Sequence, residues 1–292
     1  MPCQKALKYS TENTGNTRLK CMTSVSIILV NYNGSNFLFE CLISIQQLVD
    51  DLAFEVIIVD NFSMDDSIKN IENNFPSATL ICNQSNLGFA KANNLAVKHS
   101  HCEHLLFLNT DTILTENSPQ ILSDYLQQHQ DVGAVSPRLT FRDGSYQLSC
   151  GKLPNLAIEF IDKIRYGLDQ KWHRIFGNLY SKQYSSIQEV GWLTGACLMI
   201  RRDVFEQLGG FDESFFMYFE DKDICKRVNE AGWKVVYYPK TSLIHLLGGS
   251  SQNVKKSVNT YYRDSQLYYY QKHLGTFQTA ILKLYLRLSG KA

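Results

Sequence analysis

The chain has 292 residues, enough for one large α/β domain with an appended segment, and 44% of them are hydrophobic against 20% charged. That balance supports a sizeable core and excludes both a disordered chain and a fibre. Lys plus Arg number 29 and Asp plus Glu 28, a net charge of +1, so no whole-molecule field attracts nucleic acid and none is expected as a partner.

Residues 1–23 read as a polar leader without the apolar core of a signal peptide. No apolar run reaches the ~18–20 residues that a bilayer span needs. The eight cysteines are scattered, with no C-x-x-C pair, and several sit in apolar runs, which predicts buried, reduced thiols in the cytosol. From Ser24 onward, short β-branched runs alternate with stretches of helical period, the pattern of a mostly parallel sheet covered by helices. VSIILVNYN is followed by a periodic stretch through Phe37, Leu38, Cys41, Leu42, Ile45 and Leu48. FEVIIVDNFS precedes Ile68, Ile71 and Phe75, and TLICN precedes a helix over about Phe89–His99. HLLFLNTDT is a buried run with a polar end, and a helix over about Ser118–His129 leads into VGAVSPRL.

Asp143-Gly144 in RLTFRDGSYQLSC marks a hairpin turn, where the sheet is expected to become mixed. Leu153–Glu189 shows no clear period and reads as an irregular insertion near the site. GWLTGACLMI reads as one buried strand, and DKDICKRVNEAGW as a helix stopped by Gly232. KVVYYP follows as a strand, and two helical patterns rich in Tyr and Leu run from Asn259 to the end.

In open α/β sheets ligands bind outside the carboxyl ends of the strands. Asn31-Tyr32-Asn33, Asp60-Asn61-Phe62-Ser63, Asn83–Asn86 and Asn109-Thr110-Asp111 occupy such ends. Each is also an ordinary turn sequence, but four in succession form a pattern. No G-x-G-x-x-G follows the first strand and no G-x-x-x-x-G-K-[ST] occurs, which removes the phosphate cradle of a dinucleotide oxidoreductase or a P-loop phosphotransferase. Asp60 and Asn61 offer the acceptors and donor that the imide edge of a pyrimidine needs. Asp111, on a stiff strand end, suits Mg²⁺ or Mn²⁺ bridging a diphosphate. Glu220-Asp221 either cap a helix or supply a general base whose proton affinity rises between Phe215, Phe216, Tyr218 and Phe219. His245, before Gly248-Gly249, reads as a structural histidine or as a metal or phosphate contact.

Taken in order, VSIILVNYNG, VIIVDNFSMDDS, NQSNLGFAKANNLA, LLFLNTDT, GWLTGACLMIRRDVFEQLGGFDESFFMYFEDKDIC, GWKVVYYP and IHLLGGSS closely resemble the inverting family 2 glycosyltransferases, with the best match in the rhamnosyltransferase-like branch. The resemblance spans about Ser24–His273. It implies a GT-A fold: a Rossmann-like, mixed but mostly parallel sheet flanked by helices, over residues 24–258, with a nucleotide-binding half (24–139), an acceptor and catalytic half (140–258) and a C-terminal helical segment (259–292). It also implies a nucleotide-diphosphate sugar donor and a divalent metal, Mg²⁺ or Mn²⁺.

Carried over by position, Asn31, Asp60, Asn61 and Ser63 line the nucleobase and ribose, while Asn86, Lys91 and Asn94 lie near the donor. Asn109 occupies the first position of the family's D-x-D motif and Asp111 its metal-binding carboxylate. His245 matches a histidine beside metal and diphosphate. Asp221 matches the catalytic base, supported by Glu220, and Gly195 marks a close approach of donor or acceptor beside Trp192. Three departures stand out: Asn109 replaces an acidic ligand, Gly191 stands where many relatives have Asp, and Leu247 interrupts a glycine run.

The implied reaction moves a sugar, L-rhamnose from dTDP-rhamnose as the leading candidate, to a hydroxyl of a saccharide or lipid-linked saccharide acceptor in cell-surface polysaccharide synthesis. The competing readings are a UDP- or GDP-sugar donor and a non-catalytic nucleotide-sugar-binding module. The implied location is cytoplasmic or peripheral on the inner face of the membrane. The C-terminal tyrosines with Lys272, Lys283, Arg287 and Lys291 would make that contact, or else form a packing helix with a solvated basic face. No sequence feature specifies an oligomeric state.

Overall fold

The computed structural model describes residues 24–50, 52–161, 181–246 and 255–289. The leader 1–23, most of the middle insertion, Leu247, Gly248-Gly249 and Lys291 lie outside them. The first half alternates as the periodicity predicts: β1 (Ser24–Asn31), α1 (Ser35–Leu48), β2 (Ala53–Asp60), α2 (Ser67–Asn74), β3 (Thr79–Cys82), α3 (Phe89–Val97) and β4 (His104–Asn109). β1 is parallel to both β2 and β4, and β2 to β3. This gives the order β3-β2-β1-β4, with every carboxyl end on one edge.

The strands alternate because both sheet faces are covered. Val25, Ile27 and Leu29 of β1 point into one core with α1 residues Leu38, Cys41, Leu42 and Ile45. Ile28 of β1, with Ile57 and Val59 of β2, points into the other, against Ala90, Ala92 and Ala96 of α3. The alanine face of α3 lets that helix lie close on the sheet. The described cysteines are free, and all but Cys82 are buried.

After β4 come β5 (Thr112–Leu114), α4 (Ser118–Gln128), β6 (Val132–Thr140), β7 (Tyr146–Gln147), β8 (Cys150–Gly151), β9 (Gln188–Glu189), β10 (Trp192–Leu193), β11 (Cys197–Arg201), α5 (Arg202–Gln207), α6 (Glu220–Glu230) and β12 (Lys234–His245). The large sheet runs β3-β2-β1-β4-β11-β6-β12-β5, with β11 antiparallel to both β4 and β6. The two expected halves therefore share one sheet. The hairpin at Asp143-Gly144 does form, with Gly144 at φ +80° and β6 antiparallel to β7, but the sheet is mixed on both sides of it, since β5 also pairs antiparallel with β12.

Three predicted runs are divided differently. HLLFLNTDT breaks after Asn109, and Thr112 starts β5, which pairs antiparallel with the end of β12. Asp111 thus sits in a tight turn instead of on a strand end. GWLTGACLMI is two strands in two sheets, β10 pairing with β8 and β11 with β4, because Thr194-Gly195-Ala196 turns between them. KVVYYP and SLIH are one strand, β12, in which the pairing with β6 skips from Tyr238 to Ser242. That irregularity absorbs Pro239, which has no N–H for a ladder.

Two further helices, α7 (Lys255–His273) and α8 (Gly275–Leu288), close the chain. α7 starts four residues before the expected boundary at residue 259. Tyr269 and Tyr270 of α7 and Leu282 and Leu286 of α8 pack with Phe215 and Phe219 in a third core. The segment that carries Glu220-Asp221 is thus wedged between the sheet and the C-terminal helices.

Candidate active site

The carboxyl ends of β1, β2 and β4 bring the predicted polar residues together. Register sets Asn31 beside Asp60 and Val30 beside Asn109. Asn31 Nδ2 donates to Asp60 Oδ1 at 2.8 Å and to Ser63 Oγ at 3.0 Å, while the Ser63 N–H donates to Asp60 Oδ2 at 2.8 Å. Asn31, Asp60 and Asn61 are all buried. The Asn31 Oδ1 atom is buried without a partner, an unmet acceptor at the carboxyl end of β1.

Asn61 differs from its expected imide contact. Its Nδ2 donates to Asn86 Oδ1 at 2.8 Å and to Gly88 O at 3.2 Å. Its Oδ1 accepts from Asn83 Nδ2 at 3.0 Å and from the Leu87 N–H at 2.9 Å. Both donors and both lone pairs are engaged, so Asn61 shapes the 83–88 loop and offers no group to a base. Asn86 shares that task, its Oδ1 also accepting from the Gly88 N–H at 2.9 Å.

Lys91 is exposed on the first turn of α3, and no contact ties it to the strand ends. Asn94 is directed elsewhere: its Nδ2 donates to Phe211 O at 2.8 Å and its Oδ1 accepts from the Phe211 N–H at 2.9 Å. It clamps the loop before Glu220, away from the strand ends.

On the other side of β4, the turn 109–112 meets the end of β12. The Leu246 N–H donates to the Asp111 carbonyl at 2.9 Å. His245 Nε2 lies 3.2 Å from Asp111 Oδ1 and 3.5 Å from Asn109 Nδ2. His245 Nδ1 faces Gln147 Oε1 at 2.8 Å. With Nδ1–H donating to Gln147, the Nε2 lone pair is turned toward Asp111. A carboxylate oxygen and an imidazole lone pair at that distance repel each other unless a proton or a cation lies against both.

Among the described residues no three His, Cys, Asp or Glu side chains converge as a metal cage. Asp111 and His245 bring one carboxylate oxygen and one imidazole nitrogen together, two groups that could contact a divalent ion also bound by a diphosphate. Gln147 was not foreseen, since nothing in its local sequence marks a residue that reaches its partner only through the β6–β7 hairpin.

Asp221 is joined to this turn by backbone. Asn109 N–H donates to the Ala196 carbonyl at 2.9 Å, and the neighbouring Gly195 N–H donates to Asp221 Oδ2 at 3.1 Å. The Asp221 carboxylate and the Asp111–His245 pair are thus tied to adjacent backbone at the same edge of the sheet. A Cβ at Gly195 would meet Phe89 and Asp221 only at ordinary contact distances, 3.5 and 3.7 Å. Gly195 therefore contributes its N–H and leaves space, and does not relieve a clash. Gly191 is different: a Cβ there would lie 2.4 Å from the Leu153 N, so an Asp at this position does not fit without a backbone shift.

Glu220 and Asp221 divide their roles by burial. Tyr218 and Phe219 precede them with φ +69° and +65°, left-handed conformations that are costly for aromatic residues and gather at functional sites. This double turn drives Glu220 inward. Burial, and then the charge of Asp221, push its carboxyl well above the ordinary range, and its Oε2 lacks a partner. The carboxyl raised by the aromatic surround is therefore Glu220, whereas Asp221 is half-buried and oriented by two N–H donors.

Lys222, also unforeseen, sets its Nζ 4.4 Å from the Phe219 ring centroid and 4.9 Å from that of Trp192. Burial works against its charge, but the neighbouring Asp221 carboxylate leads the effects that outweigh it and hold the ammonium charged. The sequence signal was its place inside EDKD.

The segment that carries Glu220-Asp221 is fixed from both sides. The Phe89 N–H donates to Phe216 O at 2.7 Å. Ser265 Oγ of α7 donates to Met217 O at 2.7 Å, and Tyr262 meets Phe219 edge-on at 5.2 Å. Lys272 and His273 of α7 both reach Asp223 Oδ1 at 2.7 Å.

Residues 26–209, more than half of the chain, match the family model of glycosyl transferase family 2. The chain belongs to glycosyltransferase family 2. A second model, glycosyl transferase family group 2, matches residues 166–286. This glycosyltransferase is 27% identical to an N-acetylglucosaminyl-diphospho-decaprenol L-rhamnosyltransferase of Mycobacterium tuberculosis, covering 89% of each chain. It is 28% identical to the rhamnosyltransferase WbbL of Escherichia coli K12, over 76% of this chain and 83% of that one.

Among solved structures it resembles the mannosyltransferase PcManGT of Pyrobaculum calidifontis in complex with GDP-Man and Mn²⁺. That likeness has a TM-score of 0.55 at 17% identity, over 92% of this chain and 80% of that one. It also resembles Staphylococcus aureus TarS 1–349 in complex with UDP, with a TM-score of 0.56 at 14% identity, over 83% and 64%. At these identities the likeness is one of fold, and the fold is GT-A.

Proposed function

We propose that this glycosyltransferase moves L-rhamnose from dTDP-rhamnose to a hydroxyl of a lipid-linked saccharide in cell-surface polysaccharide synthesis, inverting the anomeric configuration. The observation that carries the reading is the Gly195–Asp221 bond beside the Asn109–Ala196 bond. These two bonds tie an oriented carboxylate and the start of the turn that carries Asp111 to the adjacent residues Gly195 and Ala196, which supports their acting together. The sugar and the lipid-linked acceptor follow the names of the relatives.

The reaction needs three things: a proton acceptor for the attacking hydroxyl, a fixed line of attack, and charge compensation at the departing diphosphate. Asp221 takes the acceptor hydroxyl proton. As it does so, the acceptor oxygen bonds to the anomeric carbon, and the bond from that carbon to the diphosphate breaks with its electron pair. Glu220, held largely protonated, adds no second negative charge beside the base. Asn31, Asp60 and Ser63 form the floor on which the nucleoside lies. Asp111 and His245 would hold a divalent ion, which when bound supplies positive charge to the diphosphate.

The test incubates the purified protein with Mn²⁺, a synthetic N-acetylglucosaminyl-diphospho-lipid and, in turn, dTDP-L-rhamnose, UDP-GlcNAc and GDP-mannose. Product mass gives the sugar, and its anomeric NMR coupling gives the configuration. A rhamnosylated product of opposite configuration is expected. Transfer only from UDP-GlcNAc or GDP-mannose would replace the donor assignment, and retained configuration would overturn the role of Asp221. A UDP- or GDP-sugar donor is the second reading, favoured by the ligands of the structural neighbours.

A further inference from the structure

Residues 146–151 cross from the large sheet to the small one. β7 pairs with β6 and β8 with β10, and Leu148 and Ser149 join the two strands. The burial of this segment runs against its polarity. Gln147 is 7% exposed and Ser149 fully buried, whereas the apolar Leu148 between them is 45% exposed. A strand with one solvent face ordinarily turns its apolar residues inward, and a local rule broken in this way marks a functional or strained position. Neither polar group is satisfied within the protein. Gln147 Oε1 faces His245 Nδ1 at 2.8 Å, but its Nε2 is buried without a partner, and so is Ser149 Oγ. Buried polar groups left unmet are costly and rare, so two on one short segment require a partner that the chain does not supply.

We infer that Gln147 and Ser149 hold hydroxyl groups of the transferred sugar and so help to select it, an inference that rests on the proposed use of a nucleotide-sugar donor. Two observations choose the sugar. The segment is bonded at one end to His245, through Gln147, and at the other to the turn that orients Asp221. There the Thr194 N–H donates to the Ser149 carbonyl at 2.8 Å, and the next N–H, that of Gly195, donates to Asp221 Oδ2 at 3.1 Å. In the proposed reaction the diphosphate lies on the His245 side, and the anomeric carbon is attacked by the hydroxyl that Asp221 deprotonates. The sugar therefore spans the two groups to which the segment is tied. The unmet groups are also neutral. A carboxamide N–H donates and a serine hydroxyl both donates and accepts, which matches a sugar hydroxyl and offers no charge to a phosphate. A buried water would satisfy the same atoms but would confer no affinity for the sugar.

Calorimetry on the full chain at fixed Mn²⁺ measures affinity for dTDP-L-rhamnose, UDP-GlcNAc and GDP-mannose, each beside its own nucleoside diphosphate. For whichever sugar nucleotide the parent binds, Ser149→Ala should weaken binding about 3–10-fold and leave the matching nucleoside diphosphate unchanged. Because Ser149 Oγ has no partner in the protein, its removal should keep Tm at or above the parental value. Leu148→Ala, on the outward side, should change neither affinity. Equal affinity of parent and Ser149→Ala for the sugar nucleotide would overturn the inference, identify the occupant as water, and leave the proposed transferase intact. An equal loss for the nucleoside diphosphate, or the same loss in Leu148→Ala, would also overturn it, by showing that the substitution acts through the strand. If the parent bound none of the three sugar nucleotides, the donor reading and the inference would fall together.

Discussion

Asp221→Asn separates chemistry from folding because it replaces one oxygen by an NH2 group at nearly constant volume. Asp221 Oδ1 accepts from the Lys222 N–H at 2.8 Å and Oδ2 from the Gly195 N–H at 3.1 Å. The amide keeps one of these bonds through its oxygen and loses the other, because an NH2 group cannot accept. One lost hydrogen bond at a half-buried site costs about 1 kcal/mol, which for a chain of this size lowers Tm by only ~2–4 °C. Loss of a general base costs ~10²–10⁴ in rate, a barrier increase of roughly 3–5 kcal/mol. The two effects therefore differ enough to be read apart. The assay follows nucleotide release with donor and acceptor present, alongside donor affinity by calorimetry and Tm by scanning fluorimetry. The expected result is near-parental donor affinity and Tm with turnover reduced by two orders of magnitude or more. Turnover within tenfold of the parent would refute the assignment of the base. A Tm loss above ~10 °C would show that the residue acts mainly by holding the 194–196 turn.

Three further outcomes follow from the packing around this residue. Gly88 has φ +80° and a Cβ there would lie 2.5 Å from Phe216 O, so Gly88→Ala combines backbone strain with overpacking, about 2–6 kcal/mol together. Gly209 has φ +74° with nothing within 4 Å, so Gly209→Ala should cost only the strain, ~1–2 kcal/mol; urea midpoints compare the two, and equal losses would show that the Phe216 contact is irrelevant. The carboxyl of Glu220 titrates higher when folded than unfolded, owing to burial and then Asp221, so its stabilising contribution is complete below the unfolded pKa of 4.5 and is lost as pH rises through the folded value. Glu220→Gln should therefore gain stability relative to the parent as pH rises from 5 to 9, measured as Tm against pH, and a constant difference would contradict the raised pKa. Gln147→Leu removes the acceptor that orients His245 and should weaken Mn²⁺ binding about 10–100-fold in a calorimetric titration with nucleoside diphosphate present; unchanged affinity would mean that His245 is not a ligand.

What the sequence determined by itself is whatever short-range pattern encodes. β1, β2 and β4 were legible because both sheet faces are covered, which forces β-branched runs. α3 and α6 were legible from periodicity and from the Gly232 stop. The strand-end rule then pointed to Asn31, Asp60, Asn109 and Asp111 as neighbours, since parallel strands in register put their carboxyl ends on one edge. The resemblance carried by FEDKDIC singled out Asp221.

Only the tertiary structure decided which polar groups remain available, because a hydrogen-bond partner 20 to 130 positions away leaves no local mark. Asn61 and Asn94 carry the right chemistry for a ligand, yet their groups are bonded to the 83–88 loop and to Phe211. Gln147, with no distinguishing sequence context, reaches His245 across 98 positions. The burial that separates Glu220 from Asp221 comes from two left-handed aromatic residues wedged against α7, and the reversed burial of Gln147, Leu148 and Ser149 emerges only in the folded chain. Alternation reports which residues share a face; which face is covered is a property of the assembled fold.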